Sequence, residues 1–234
     1  LRGLYDPAAR MPARLAARRT AFLWSQDVMW DLEIHKQTAL WDTWSHRFKY
    51  QAAAKAAGAP VEYIAETDDF SKYPFLIAPA YQLIDRDLVA KWRTYVENGG
   101  HLVLTCRTGQ KDKRGQLWED KWAGPITSLI GAEVEFFDTL LADGKGTVKM
   151  GDGIYDWIVW ADVLKPAQGT EVLVTYGDQF YAGKAAVTTR RVGRGTVTYI
   201  GVDTKDGRLE KRVTSEVYRR AGVAVEDYPP GVYV

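Results

Sequence analysis

Cysteine and histidine are scarce in this sequence. Among 234 residues there is one cysteine, Cys106, and there are three histidines. A single cysteine excludes an internal disulfide and a metal cage made of cysteine alone. The histidines have no His-x-x-x-His spacing, and neither a Cys-x-x-Cys pair nor an acidic calcium-loop pattern occurs. We therefore expect no metal and no cofactor.

An excess of one charge and a long apolar run are also lacking. The 31 basic and 30 acidic residues leave a net charge of +1, too little to favour nucleic acid or an anionic membrane. No apolar run approaches the roughly 18 residues that a membrane helix needs, and no uninterrupted apolar signal region begins the chain. We expect no nucleic-acid and no membrane partner. The single cysteine leaves the compartment open, with the cytoplasm favoured.

What the sequence does contain is enough apolar material for one or two folded domains, with 46% hydrophobic and 26% charged residues. Residues 1–19 are rich in arginine and interrupted by proline, which predicts a linker or arm. Residues 20–222 form the predicted domain. Residues 223–234 are interpreted as the start of a truncated β segment, so that the chain would be a fragment of something longer.

Short apolar runs alternate with helical patterns in the first 140 residues. Strands are predicted over 20–24, 61–64, 74–78 and 101–106. Apolar residues at helical spacing, with Asp42 and Asp85 as N-caps, predict two helices between them. This order is typical of βαβ crossovers. It predicts an α/β fold, a flavodoxin-like three-layer sandwich with a mostly parallel sheet.

The sequence pattern changes after Gly144. β-rich segments cover 170–176, 185–192 and 196–202, and Gly193-Arg-Gly195 predicts a hairpin between the last two. A final helix is predicted around Leu209 to Ala221. We therefore expect a β-rich C-terminal extension.

Cys106 lies at the end of a predicted parallel strand, at the edge where open α/β sheets bind ligands and where nucleophile elbows lie. A thiol nucleophile needs a base. His101 starts the same strand and His46 lies within a helix, so His35 is the remaining candidate. One alternative is thus a cysteine hydrolase or amidotransferase-like enzyme, and the other is a buried structural cysteine.

Aromatic residues are abundant, with nine Trp and thirteen Tyr. Tyr155, Trp157 and Trp160 are crowded together in the sequence. Such a group is compatible with core packing, a subunit interface or a sugar-binding platform. A carbohydrate-binding module is therefore a second alternative. Acidic residues are plentiful, but no pair among them is singled out as the two carboxyl groups of a glycosidase.

Several segments together resemble the middle domain of glycoside hydrolase family 42 β-galactosidases. They are Tyr73–Tyr81, Tyr95–Thr105, Arg107–Gly109, Ile130–Asp138, Trp157–Asp162 and Gly193–Gly201. The resemblance implies a trimerisation domain with a flavodoxin-like or class I glutamine amidotransferase-like fold. It also implies a homotrimer and a separate catalytic barrel that carries both catalytic glutamates, through which the parent enzyme would act on galactosides.

Neither catalytic glutamate can be carried over to this chain, because the barrel is missing. The amidotransferase elbow is also missing around Cys106, and no His-x-Glu pair follows it. The resemblance therefore implies a non-catalytic assembly domain that could border a neighbouring active site. From their positions we select Trp30 and Glu33, and Arg107, Thr108 and Lys111 in the basic loop 107–114, as binding or interface residues. We also select the aromatic group Tyr155, Trp157 and Trp160 as binding or interface residues.

Overall fold

The computed structural model describes residues 11–229. Its helices are α1 (Ala13–Ala16), α2 (Gln26–Ile34), α3 (Thr43–Ala56), α4 (Arg86–Glu97), α5 (Thr127–Ile130) and α6 (Arg208–Arg220). Its strands are β1 (Thr20–Leu23), β2 (Val61–Ile64), β3 (Phe75–Ala78), β4 (His101–Thr105), β5 (Ala132–Asp138), β6 (Gly146–Met150), β7 (Gly153–Pro166), β8 (Glu171–Tyr176), β9 (Ala185–Val192), β10 (Gly195–Ile200) and β11 (Val202–Thr204). Short 3₁₀ turns cover Phe70–Lys72 and Gly124–Ile126.

All eleven strands belong to one sheet. The strands β2, β1, β3, β4 and β10 lie side by side and are parallel. From β10 onward every pairing is antiparallel, beginning with the β9–β10 hairpin. The hairpin predicted at Gly193–Gly195 is formed.

The predicted flavodoxin-like sandwich with a mostly parallel sheet is wrong. Antiparallel pairings outnumber parallel ones, and after β4 no further strand–helix–strand unit extends the parallel part. The chain instead builds β5 to β9 and only then returns, so that β10 pairs with β4. Alternation of apolar and polar residues in β5 and β6 is the antiparallel pattern. The α/β pattern of the first hundred residues does not continue through the rest of the chain.

Strands β6, β7, β8 and β9 form a closed circuit. The pairings run β7–β6–β8–β9, and Leu164 pairs with Ala185 to join β9 back to β7. The 14-residue strand β7 also pairs with β5 and β11. This strand therefore organises the β-rich half of the domain.

Helices cover both faces of the parallel strands. In β1, Phe22 belongs to the core under α3 and α6, whereas Ala21 and Leu23 belong to the core under α2 and α4. Side chains Ser25, Asp42 and Asp85 accept hydrogen bonds from the first turns of α2, α3 and α4, as expected of N-caps. Because β1, β3, β4 and β10 are parallel, their carboxyl ends lie at the same edge of the sheet. Helix α2 follows β1 at this edge.

The two terminal predictions fall partly outside the described residues. Residues 1–10 and 230–234 are not described. Within the predicted arm, α1 leads to Arg18, whose side chain is buried and donates to the Ala224 carbonyl at 3.1 Å. Arg18 also pairs with Glu226 at 3.3 Å, so both ends of the described chain are held together beside α3.

Candidate functional site

The segments 30–33 and 107–114, both selected from the sequence, are joined by a buried ion pair. Lys111 Nζ lies 2.9 and 3.0 Å from the two carboxylate oxygens of Asp31. Gln82 Nε2 donates to the same carboxylate at 2.7 Å, and His35 Nδ1 lies 3.0 Å from it. The side chains of Lys111 and Asp31 are 7% and 9% exposed. We name these four residues the polar anchor, because they fasten α2 to the loop that follows β4.

Arg107 adds a second link between the same elements. Its guanidinium carbon lies 4.4 Å from the ring centre of Trp41 and 5.0 Å from that of Trp160. Its Nη2 donates to the His35 carbonyl at 2.9 Å. Burial lowers the pKa of Arg107 to about 10, and the group stays charged at neutral pH. A guanidinium between two indoles is a stabilising cation–π arrangement.

The structure therefore places the sequence-selected residues in two groups. Arg107, Thr108 and Lys111 are buried and hold the loop in place. Trp30 is 59% exposed, and Glu33 is also exposed, where it pairs with Lys36 at 2.9 Å. Its hydrogen bond to Lys36 lowers the pKa of Glu33. Of these five residues, only Trp30 and Glu33 are exposed enough to contact a partner directly.

Tyr155, Trp157 and Trp160 are core residues of β7. They are 8%, 1% and 0% exposed. The Trp160 ring stacks on Phe137 at 4.6 Å between ring centres, and Tyr155 accepts a hydrogen bond from Arg212 at 2.9 Å. A sugar platform needs an open ring face. These three rings offer none, so they do not favour the carbohydrate-binding alternative.

Cys106 is completely buried. Burial raises the pKa of its thiol, and the carboxylates of Asp162 and Asp203 raise it further. His46 bonds to Thr105 Oγ1, at the end of β4, at 2.9 Å and to Asp203 at 2.8 Å, and burial lowers the pKa of His46. This arrangement has no accessible thiolate. It does not favour a Cys106 nucleophile.

We expect native Cys106 to resist alkylation by iodoacetamide and to react only when the chain unfolds, because the reactive form is an accessible thiolate. Mass spectrometry of native and urea-treated protein measures this directly. The single cysteine makes the unfolded sample its own matched control. Rapid modification of the native protein would contradict the assignment.

Sequence reasoning missed a buried carboxylate, Asp162. It accepts hydrogen bonds from Tyr199 Oη at 2.7 Å, Trp160 Nε1 at 2.9 Å and the Arg107 amide at 3.2 Å. Burial raises the pKa of Asp162 to about 6. No local pattern indicated it, because two of its three partners, Tyr199 and Arg107, come from distant segments. Within residues 11–229, no group of three acidic, histidine or cysteine side chains could hold a metal ion.

The outer face of α3 carries an exposed apolar stripe. Trp44 and Phe48 are 48% and 53% exposed, and Ala52 and Ala56 follow at the same four-residue spacing. The buried face instead contains His46, Arg47 and Tyr50. Arg47 is held inside by the carbonyls of Pro79 and Leu23, at 3.1 and 3.0 Å. The larger apolar residues of α3 thus point away from its own core.

The α3 stripe continues through further rings onto the sheet edge. Phe48 stacks on Trp44 at 5.7 Å, Trp44 lies 5.8 Å from Trp24, and Trp24 lies 6.0 Å from Tyr63 of the edge strand β2. Contiguous exposed aromatic surfaces of this kind mark interaction sites. No helix of residues 11–229 has the length and hydrophobicity to cross a membrane.

Comparisons with a family model and with known proteins indicate the same family. The family model described as the β-galactosidase trimerisation domain matches residues 18–224. The β-galactosidase BgaH of Haloferax lucentense is 31% identical over 215 residues, covering 92% of this chain and 32% of the relative. LacA of Lactobacillus acidophilus, also a β-galactosidase, is 31% identical over 159 residues, covering 68% of this chain and 23% of the relative.

Solved structures agree with the sequence relatives. The β-galactosidase of the Antarctic haloarchaeon Halorubrum lacusprofundi superimposes with a TM-score of 0.88 at 30% identity, covering 99% of this chain and 34% of that one. The β-galactosidase Gan42B superimposes with a TM-score of 0.80 at 26% identity, covering 91% of this chain and 30% of that one. The chain thus spans about a third of the length of these relatives. It belongs to the family of β-galactosidase trimerisation domains.

Proposed function

We propose that this domain assembles a β-galactosidase as a homotrimer and supplies no catalytic group of its own. The catalytic barrel of the same enzyme is its second partner, and terminal β-galactosides are bound by that barrel. The family match and the β-galactosidase relatives support this role. The observation that carries it is the outward α3 stripe, since apolar rings in water are stabilised when a partner covers them.

The α2 face is the proposed contact with the catalytic barrel. Trp30 and Ile34 are one helical turn apart and are 59% and 74% exposed. The polar anchor fixes an adjacent side of α2 through Asp31 and His35. Because α2 is held in place, Trp30 is presented at a fixed position, which suits it to border a neighbouring active site.

We also propose that the parallel half of the domain is related to the class I glutamine amidotransferases. Its support is the place of Cys106 directly after β4. Because that thiol is buried, such a scaffold would serve assembly here without hydrolysis.

We expect the solution mass of residues 1–234 to be three times the 26.3 kDa mass of the chain. Light scattering over a concentration series measures it. A titration with galactosides, followed by tryptophan fluorescence, is the accompanying control and should give a flat trace. A strictly monomeric chain would contradict the assembly role, and a saturable galactoside response would favour the binding-module alternative.

A further inference from the structure

A groove lies between α3 and the start of α6. It has a volume of about 590 Å³, and its apolar lining is Phe48, Ala52, Ala53, Ala56 and Tyr228. The small side chains of the alanines leave room for the side chains of another segment. We call this the α3–α6 groove.

The charged residues that line the α3–α6 groove are all paired. Lys49 pairs with Asp203 at 2.5 Å. Arg208 pairs with Asp206 at 2.5 Å, and Lys211 pairs with Asp227 at 2.6 Å. Among residues 11–229, the lining therefore offers no unpaired charge to an occupant. An apolar groove of this kind favours an uncharged, apolar segment.

The chain that follows α6 runs along the end of α3 in the opposite direction. The Glu226 amide donates to the Ala57 carbonyl at 3.1 Å, and the Tyr228 amide donates to the Ala56 carbonyl at 3.0 Å. A step of two residues along this segment thus reaches one residue earlier in α3. The other α3 residues of the groove all precede Ala56, so the chain is directed from Tyr228 into the groove.

The backbone donors of this segment end where the free acceptors of α3 end. Only the last carbonyls of a helix lack a partner within it. The Ala53 carbonyl already accepts a hydrogen bond from the Ala57 amide at 3.1 Å. Pro229 and Pro230 follow Tyr228 and have no N–H group. These two residues therefore bring no unpaired donor into the groove.

The sequence after Pro229 matches the groove in chemistry. A proline favours an extended conformation of the residue before it, so Pro230 predicts that the chain continues without a turn at Pro229. Residues 232–234 are Val-Tyr-Val, which are apolar and carry no charge. They are therefore suited to cover Phe48 and the alanines.

The segment is also long enough to follow the groove. At about 3.1 Å per residue, the extended chain from Tyr228 to Tyr233 spans about 15 Å. At 1.5 Å per residue, α3 rises by about 12 Å between Ala56 and Phe48. Tyr233 can therefore reach Phe48 at the far end of the groove.

We propose that residues 230–234 bind in the α3–α6 groove of their own chain. The part of the α3 stripe from Phe48 to Ala56 is then covered by the chain itself. Trp24, Trp44 and Tyr63 do not line the groove, so these rings stay available to a partner subunit. The inference therefore does not depend on the proposed trimer.

Disulfide trapping tests the contact. Ala52→Cys is combined in turn with Val232→Cys, Tyr233→Cys and Val234→Cys, because a disulfide forms only where two Cα atoms come within about 7 Å. Mild oxidation should link at least one pair within a single chain, which non-reducing electrophoresis and intact mass detect. The native Cys106 is buried and does not compete.

Ile154→Cys with the same three partners is the matched control, because Ile154 is 58% exposed and does not line the groove. These control pairs should stay reduced. A disulfide within one chain in the Ala52 pairs alone supports the proposal. Disulfides that form only between chains would assign the groove to another copy and overturn it.

If no pair forms a disulfide, the alkylation rate of Ala52→Cys decides. Adding Val232→Asp and Tyr233→Asp should release the segment and raise the rate of reaction with iodoacetamide about tenfold, equivalent to 1.4 kcal/mol. Circular dichroism checks the fold, and light scattering checks that the solution mass is unchanged. An unchanged rate, or a rise that accompanies a loss of mass, would overturn the proposal. An unchanged rate in a chain that is still trimeric would leave the proposed assembly role intact.

Discussion

The Asp31→Ala variant should lose about 3–5 kcal/mol of its free energy of unfolding, as expected when one partner of a buried ion pair is removed. The Lys111 ammonium, 7% exposed, would be left without its carboxylate, and Gln82 would lose its acceptor. Most domains have only 5–15 kcal/mol of stability. Urea unfolding measures the loss.

Two further variants separate the buried charge from the helix itself. Glu33→Ala, two residues along α2, removes an exposed carboxylate whose partner is Lys36, so its cost should be within about 0.5 kcal/mol. The double variant Asp31→Leu with Lys111→Met replaces both charges by apolar groups and should recover most of the lost stability. A loss below about 1 kcal/mol in Asp31→Ala would contradict the anchoring role.

The second expected result is a change of stability with pH that depends on Asp162. Burial raises the pKa of Asp162 from its ordinary 3.8 to about 6, although hydrogen bonds from Tyr199 and Trp160 oppose the shift. A carboxyl whose pKa is raised by folding stabilises the protein fully below its unfolded pKa. That contribution is lost as the pH rises through 6, and it amounts to about 3 kcal/mol at 1.36 kcal/mol per pKa unit.

The substitution Asp162→Asn removes this titration and leaves the others in place. The free energy of unfolding of the wild type, minus that of the variant, should therefore fall by about 2.4 kcal/mol between pH 4 and pH 7. Chemical denaturation at a series of pH values measures it. Asp152→Asn makes the same substitution at a side chain that is 98% exposed and serves as the matched control. Parallel wild-type and Asp162→Asn profiles would refute the assignment.

The parallel half of the fold was predictable because its signals are local. β1 is a short apolar run, and Asp42 and Asp85 cap the helices whose starts they predict. The β-rich half was not predictable in the same way. Strand β7 pairs with β5, β6, β9 and β11, and a sequence pattern does not specify which distant strands will meet. The wrong sheet class follows from that non-locality.

The candidate site was likewise predictable only in part from the sequence. The position of the loop after β4 led us to select Arg107 and Lys111, but their burial depends on Asp31 and on Trp160, which lie far away in the sequence. The sequence also did not indicate which face of α3 is buried. Its helical spacing has two candidate faces, and the inner one contains Arg47 because distant carbonyls satisfy it. Burial of polar residues depends on tertiary partners.

The closed circuit of β6 to β9 also bears on aggregation. Each strand of a closed circuit has a neighbour on both sides, so the most β-rich part of the chain has little unpaired backbone that another chain could extend. Among the described strands, β2, β5 and β11 keep a free edge. Two of these are only four and three residues long, and β5 carries Glu133 and Glu135. Short or charged edges discourage amyloid-like growth.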